Sequence, residues 1–282
     1  MLQWETRAGI ASLHPMEIPR FDLGEKLSPD QQTFLDQQGF VVFKNFLKPE
    51  EVAEVLGELQ ALEQKWVSEK KDKAFGIPIA YRTGLDGQPY VSRFAFASCY
   101  SEKLHRFLSS DRFNPIKAIL GPGFRLGERE KDGMVVNHYL NREGGGSRKD
   151  LGWHTDSPRD IFLGRKIRPL WQIGIYLDDS PKAKGGLRLL PGTHKQSIWK
   201  MLFRKMYFLD RKADPEEICV EAKAGDLTIH DGRLWHRVAS AAVTGEASRR
   251  RVIYLPFIEG PKQEKSESSP TPLYHRLQKL AG

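Results

Sequence analysis

Gly152-Trp153-His154-Thr155-Asp156-Ser157-Pro158 is the stretch on which the reading of this chain turns. On extended backbone, side chains two residues apart point the same way, so His154 and Asp156 can converge on one point. A third donor comes from elsewhere in the chain, and His236 in Leu234-Trp235-His236-Arg237 is the preferred one. Two imidazoles and one carboxylate on one face of an iron(II) ion leave its remaining positions open to other ligands. His230, after Asp226-Leu227-Thr228-Ile229, competes with His236 for the third place. His236 is favoured because the strand that it begins leads to Arg249-Arg250-Arg251, and His230 is read as a supporting or core histidine. His138 is expected to be a strand residue and His194 to order a turn.

Outward from this stretch the chain is a succession of short apolar runs. They are Met134–Leu140, Leu170–Leu177, Gly186–Leu190, Glu217–Glu221, Asp226–His230, Leu234–Ala239 and Arg250–Phe257. Glycine and proline clusters such as Gly144-Gly145-Gly146 and Pro191-Gly192-Thr193 separate many of them. Regular short strands of this kind predict a sandwich or barrel rather than alternating βαβ units. Two helices are expected before them. Ser28-Pro29-Asp30-Gln31 carries an N-cap, a proline at the first helical position and a polar residue at the third, and Gly39 ends the helix. Phe40-Val41-Val42-Phe43 reads as a strand. Pro49 opens a second helix with Val52, Val55, Leu56, Leu59 and Leu62 at helical spacing. Turn residues dominate 70–125 apart from a helical run at Leu104–Leu108. Gln196–Lys212 reads as a helical excursion between strands, 259–270 as a polar tail, and Leu273–Leu280 as a short last helix.

The chain has 282 residues, 39% of them hydrophobic, enough for one sizeable core. No apolar run reaches the length of a membrane span, no secretory signal is legible near the start, and Cys99 and Cys219 form no disulfide framework. A cytoplasmic location is therefore expected. The formal charge is +8, with 44 basic against 36 acidic residues, compatible with an anionic partner or with solubility alone.

Together these motifs resemble the phytanoyl-CoA dioxygenase-like Fe(II)/2-oxoglutarate oxygenases, from Leu27 to about Phe257. The resemblance rests on Leu27-Ser28-Pro29-Asp30-Gln31, Gly39-Phe40-Val41-Val42, Pro49-Glu50-Glu51-Val52 and Trp153-His154-Thr155-Asp156. It continues through Leu177-Asp178-Asp179, Gly185-Gly186-Leu187, Leu190-Pro191-Gly192-Thr193-His194-Lys195 and the segment from Gly225-Asp226 to His236. Threonine between the ligands, where many members carry glutamine, is a mild departure. The resemblance implies a mainly β fold with flanking helices: a double-stranded β-helix, or cupin-like jelly roll, of two antiparallel sheets. It implies one domain over 1–282, with helical support at about 27–125, a β-helix core at about 126–258 and a tail at 259–282. It also implies His154, Asp156 and His236 as ligands of Fe(II), with 2-oxoglutarate and O2 as co-substrates.

The far carboxylate of 2-oxoglutarate needs a fixed cation, and a guanidinium supplies a planar, permanently charged fork. Strand alternation alone does not choose among Arg249, Arg250 and Arg251, because both faces of that strand are apolar. The family pattern of arginine, a basic residue and an aliphatic residue selects Arg250. Thr155, Gln172 and Asn137 are expected to line the co-substrate pocket. Retention of Asp156 points to hydroxylation, since related halogenases have a small residue there.

The expected reaction is hydroxylation of a small organic substrate with release of succinate and CO2, with no nucleic acid or membrane partner. The substrate would be anionic or CoA-linked if the basic segments 159–168 and 204–212 rim the site. The alternatives are an AlkB-like nucleic-acid demethylase and a non-catalytic barrel that binds metal or ligand. The first would carry a second arginine where Pro256 stands.

Overall fold

The computed structural model describes residues 18–143, 151–157 and 169–272. Eight strands build the two sheets that matter for the site. In chain order they are β1 Val135–Tyr139, β2 Leu151–His154, β3 Leu170–Tyr176, β4 Gly186–Leu189, β5 Ile218–Cys219, β6 Leu227–Asp231, β7 His236–Ala239 and β8 Arg250–Glu259. The larger sheet contains the antiparallel order β6-β3-β8-β1, and the smaller sheet the antiparallel order β5-β4-β7-β2. This is the double-stranded β-helix. The larger sheet is extended by Phe40–Phe43 beyond β6 and by Pro89–Phe94 and Ala80–Thr83 beyond β1.

Alternation along the strands of the larger sheet sorts its two faces. Val136, Ile173, Ile175, Leu227, Ile229, Ile253, Leu255 and Phe257 join one buried cluster with residues of the flanking helices. Those helices are α1 Pro29–Gln38, α2 Pro49–Glu69, α3 Glu102–Ser109 and α4 Asn114–Leu120. Helix α2 contributes Val52, Val55, Leu59, Leu62 and Trp66 at the i, i+3, i+4 spacing of a single apolar stripe. The helices thus cover one face of the sheet, and the opposite face is left for the site.

Local sequence explains the helix ends. Ser28 and Gln31 form a reciprocal capping box at the start of α1, with Pro29 at its first position. Gly39 closes the helix at φ +81°, and a Cβ there would lie 2.4 Å from the His194 ring. His194 bonds through Nε2 to the Asp36 carbonyl at 3.1 Å, so it fastens the turn after β4 to α1.

The structure departs from the sequence expectation in the Gln196–Lys212 excursion. Only α5, Ile198–Phe203, is helical. Beyond it the chain becomes irregular, with Phe208 at φ +62°, a left-handed conformation that no helix continues through. Cys99 and Cys219 are both free thiols. No helix of the described residues is long and apolar enough to cross a membrane. The expected helix at 273–280 and the basic residues Arg159, Arg165, Lys166 and Arg168 lie outside the described residues.

Candidate metal centre and its co-substrate cradle

The end of β2 and the start of β7 are neighbours, with His154 and His236 directly opposite one another. Both side chains therefore leave the smaller sheet on the same side, and their ring centroids are 4.1 Å apart. Asp156 follows β2 in a loop held by the β6–β7 turn, where the Asp156 and Ser157 amides donate to the Gly232 carbonyl at 2.8 and 3.1 Å. Its two carboxylate oxygens lie 4.0 Å from His154 Nε2 and 3.8 Å from His236 Nε2. One potential ligand atom from each of the three residues falls within 4.8 Å of the others.

Each histidine is oriented by its own strand. Nδ1 of His154 lies 2.9 Å from the Gly152 carbonyl, and Nδ1 of His236 lies 3.0 Å from the Leu234 carbonyl. A carbonyl only accepts, so each ring carries a proton on Nδ1 and turns Nε2 toward the centre, the orientation needed for metal ligation. Burial pushes His154 down to about 3, with the neighbouring His236 adding to the effect, so the ring is neutral. Two imidazoles presenting Nε2 and an accessible carboxylate suit a divalent transition metal such as iron(II), and three protein donors leave room for others.

The distal histidine is braced by the Pro191-Gly192-Thr193 turn. Thr193 Oγ1 donates to the Leu190 carbonyl at 2.7 Å and accepts from the Trp235 amide at 3.0 Å. The Leu190 amide in turn donates to the Trp235 carbonyl at 2.9 Å.

Among the three arginines at the start of β8, the structure separates the roles that alternation leaves open. Arg249 pairs with Glu246 and touches His138 Nε2 at 2.8 Å. Arg251 is fixed by Asp178, with two side-chain bonds of 2.8 and 2.7 Å. Arg250 points between the sheets, only 1% exposed, and among the described residues its Nε and Nη1 have no hydrogen-bond partner. Its guanidinium lies 4.0 Å over the Tyr139 ring, and a Cβ on Gly186 of the facing sheet would come within 3.9 Å of its Cζ. A buried guanidinium with unused N–H groups is a receptor for a carboxylate. The residues present therefore fit both an iron ion and a dicarboxylate co-substrate.

Asn137 faces Val252 across β1 and β8, and Gln172 faces His230 across β3 and β6. Both belong to the face that carries Arg250. Thr155 is engaged elsewhere. Tyr207 donates its only hydroxyl hydrogen to the Met201 carbonyl at 2.7 Å, so it accepts from Thr155 Oγ1 at 2.8 Å.

Three features add to the sequence reading, the first at His230, expected there as a supporting or core histidine. His230 is 1% exposed, its ring centroid is 5.1 Å from that of His236, and neither of its ring nitrogens has a hydrogen-bond partner among the described residues. Phe208 stacks on His154, centroids 4.9 Å apart and planes at 28°. The Phe208 amide also donates to the Trp153 carbonyl at 2.9 Å, and the Trp153 amide to the Asp210 carbonyl at 2.8 Å, so the excursion is laced to β2. The third is Asp226, fully buried, which accepts from the Lys223 amide at 2.8 Å, the Asn45 amide at 3.2 Å and Arg20. The Gly-Asp pair before β6 thereby ties the N-terminal segment to the barrel. Gly225 is required beside it, at φ +88° and with its Cβ position 2.3 Å from the Leu47 carbonyl.

Comparison with known proteins agrees with this geometry. The family model described as Phytanoyl-CoA dioxygenase (PhyH) matches residues 35–251. An ectoine dioxygenase of Bordetella parapertussis is 25% identical over 191 residues, covering 67% of this chain and 56% of its own. The chain thus spans about half the length of the curated relatives of that kind. EvdO2 of Micromonospora carbonacea var. aurantiaca, solved with 2-oxoglutarate, superposes with a TM-score of 0.58 at 17% identity, covering 87% of this chain and 96% of that one. HygX of Streptomyces hygroscopicus, solved with iron bound, gives 0.58 at 17% identity, covering 83% and 87%. At these identities the two solved structures establish the fold.

Proposed function

The chain belongs to the phytanoyl-CoA dioxygenase family, and from that membership and its site we propose that it is an Fe(II)- and 2-oxoglutarate-dependent oxygenase that hydroxylates a small organic molecule. The observation that carries this reading is the convergence of His154, Asp156 and His236, with both histidines offering Nε2 to one point. On this reading His154 and His236 hold the iron through Nε2 and Asp156 through one carboxylate oxygen. Arg250 holds the far carboxylate of 2-oxoglutarate, and its burial among apolar and aromatic neighbours keeps water from competing for that charge. Asn137 and Gln172 line the space beside it. Thr155 contributes by anchoring Tyr207, and so shapes the wall beside His154.

Bound iron and 2-oxoglutarate supply the oxidising chemistry, and the overall conversion turns 2-oxoglutarate, O2 and substrate into succinate, CO2 and hydroxylated substrate. The chain positions the reactants and shields them. Asp156 keeps a third protein donor on the metal, which supports hydroxylation over halide transfer. The non-catalytic alternative is disfavoured by the intact donor set, and the nucleic-acid alternative by Pro256 at the place of a second arginine.

The test is substrate-independent turnover. Purified protein supplied with Fe(II), 2-oxoglutarate and O2 should release succinate slowly, and omission of either iron or 2-oxoglutarate should abolish it. Succinate formation that persists without iron, or is undiminished in Asp156→Ala, contradicts the reading.

A further inference from the structure

Consecutive residues of the excursion grip consecutive residues at the metal centre. Phe208 stacks on His154, and the Tyr207 hydroxyl accepts from Thr155 Oγ1 at 2.8 Å. Neighbouring side chains on regular backbone diverge, to opposite faces in a strand and by about 100° in a helix. The backbone here is not regular, since Phe208 sits at φ +62° in the left-handed region. A phenylalanine keeps that conformation only where surrounding contacts hold it. The contacts come from β2, where the Phe208 amide donates to the Trp153 carbonyl at 2.9 Å and the Trp153 amide to the Asp210 carbonyl at 2.8 Å.

The hydroxyl pair has a fixed polarity. Burial pushes the Tyr207 hydroxyl up from its ordinary value, so it stays protonated. Its single hydrogen goes to the Met201 carbonyl at 2.7 Å, which leaves its oxygen as the acceptor for Thr155. A line of hydrogen bonds therefore runs from the residue between two metal ligands, through Tyr207, to helix α5. Thr155 is only 3% exposed. Without the Tyr207 oxygen its hydroxyl would be left buried with no acceptor there, and the 154–156 backbone would have to move to find one. His154 Nε2 and the Asp156 carboxylate would move with it.

Resting on the reading of His154, Asp156 and His236 as the iron site, we propose that Tyr207 is a positioning residue for that site. It acts through Thr155, whose hydroxyl it holds. Together with Phe208 on the His154 ring, it keeps the two ligands His154 and Asp156 in ligating geometry. The excursion is thereby a support of the metal centre as well as a connection between strands.

Mn(II) binding tests this without turnover. Full-length protein is titrated anaerobically, below the unfolding temperature of each variant, and free Mn(II) is read by electron paramagnetic resonance. Tyr207→Phe keeps the ring and removes the oxygen, and it should weaken Mn(II) binding about tenfold, the loss that follows removal of a group orienting a ligand. Thr155→Val removes the other end of the same bond and should lose a similar factor. Thr155→Ser, which keeps a hydroxyl, should recover most of it. The double variant Thr155→Val/Tyr207→Phe should bind no more weakly than either single variant, within about twofold.

Losses that multiply in the double variant overturn the proposal. So does a Tyr207→Phe protein with a lowered unfolding temperature and wild-type Mn(II) affinity, which would make the bond a contribution to stability alone. Asp156→Ala separates the clamp from the site beneath it. If that variant binds Mn(II) as wild type does, the ion is not at the triad and both readings fall. If it loses the ion while Tyr207→Phe keeps wild-type affinity, only the positioning role falls.

Discussion

His230 meets His236 edge-on, with ring centroids 5.1 Å apart and planes at 61°. It is a fully buried imidazole with no hydrogen-bond partner on either nitrogen among the described residues, placed directly beside a proposed iron ligand. A buried polar group left without a partner costs roughly 1–3 kcal/mol. Its persistence here is explained if an oxygen of a bound ligand or water completes it in the working enzyme. His230→Phe, which keeps a ring in the space and removes both nitrogens, should therefore raise the stability of the metal-free protein by about 1–2 kcal/mol. It should at the same time weaken 2-oxoglutarate binding. Urea unfolding and a 2-oxoglutarate titration of the Mn(II) protein check the two effects, and a destabilised variant with unchanged 2-oxoglutarate affinity would contradict this account.

Arg250 should be sensitive to conservative change. Lysine keeps the charge but loses the fork, so Arg250→Lys should weaken 2-oxoglutarate binding about tenfold or more, and Arg250→Ala further. Metal binding, set by three other residues, should be retained in both. Titration with 2-oxoglutarate, after Mn(II) affinity is measured separately, distinguishes the two contributions.

Gly152 tests the lacing of the 196–212 excursion to β2. A Cβ at this position would lie 2.4 Å from the Phe208 carbonyl oxygen, a backbone atom that cannot swing aside. Gly152→Ala should push the Phe208 segment off β2, cost on the order of 1–3 kcal/mol, and weaken metal binding by releasing the ring that packs on His154. Unfolding midpoints and Mn(II) titration provide the check.

Acidification should destabilise the metal-free protein through its buried neutral histidines. Burial lowers both His138 and His230 to about 3, with Arg249 reinforcing the shift at His138 and His236 at His230. In the unfolded chain they titrate near the ordinary value of about 6.5. Below that pH the unfolded state binds protons that the folded state refuses, so their contribution is full above about 6.5 and is lost as pH falls toward about 3. Each can contribute a slope of up to about 1.4 kcal/mol per pH unit. Thermal unfolding between pH 7 and 4 should show a falling midpoint, and His138→Gln should flatten the fall.

Asp226 and His236 close the same stretch of sequence but have different roles. Asp226 is fully buried and holds two backbone amides and Arg20, so Asp226→Ala should cost about 3–5 kcal/mol. The folded fraction should still bind metal with wild-type affinity, and Mn(II) titration below the unfolding transition measures this.

What the sequence made legible follows from these local rules. The strands of the larger sheet stand out because Val, Ile, Leu and aromatic residues are bounded by glycine, proline and aspartate, and α1 because its capping box is written in four residues. His154, Asp156 and His236 could be brought together on paper because strand period and chain separation suffice for a metal point. The choice among Arg249, Arg250 and Arg251 could not be made by period, since it depends on Glu246, three residues before Arg249, and on Asp178, from a distant loop, each engaging one of them. The 196–212 excursion was legible only as far as its helix at Ile198–Phe203, because beyond it the path is set by hydrogen bonds to β2 and by the left-handed Phe208. Partners of that kind are tertiary, and no window of neighbouring residues contains them.

The most direct test of the central claim is anaerobic absorbance. Addition of Fe(II) and then 2-oxoglutarate to the metal-free protein should produce a visible metal-to-ligand charge-transfer band that bleaches when O2 is admitted. The band should be missing in His236→Ala and should need a higher 2-oxoglutarate concentration in Arg250→Ala. No band in the wild-type protein, or a band unchanged in His236→Ala, would contradict the assignment of His154, Asp156 and His236 as the iron-binding triad.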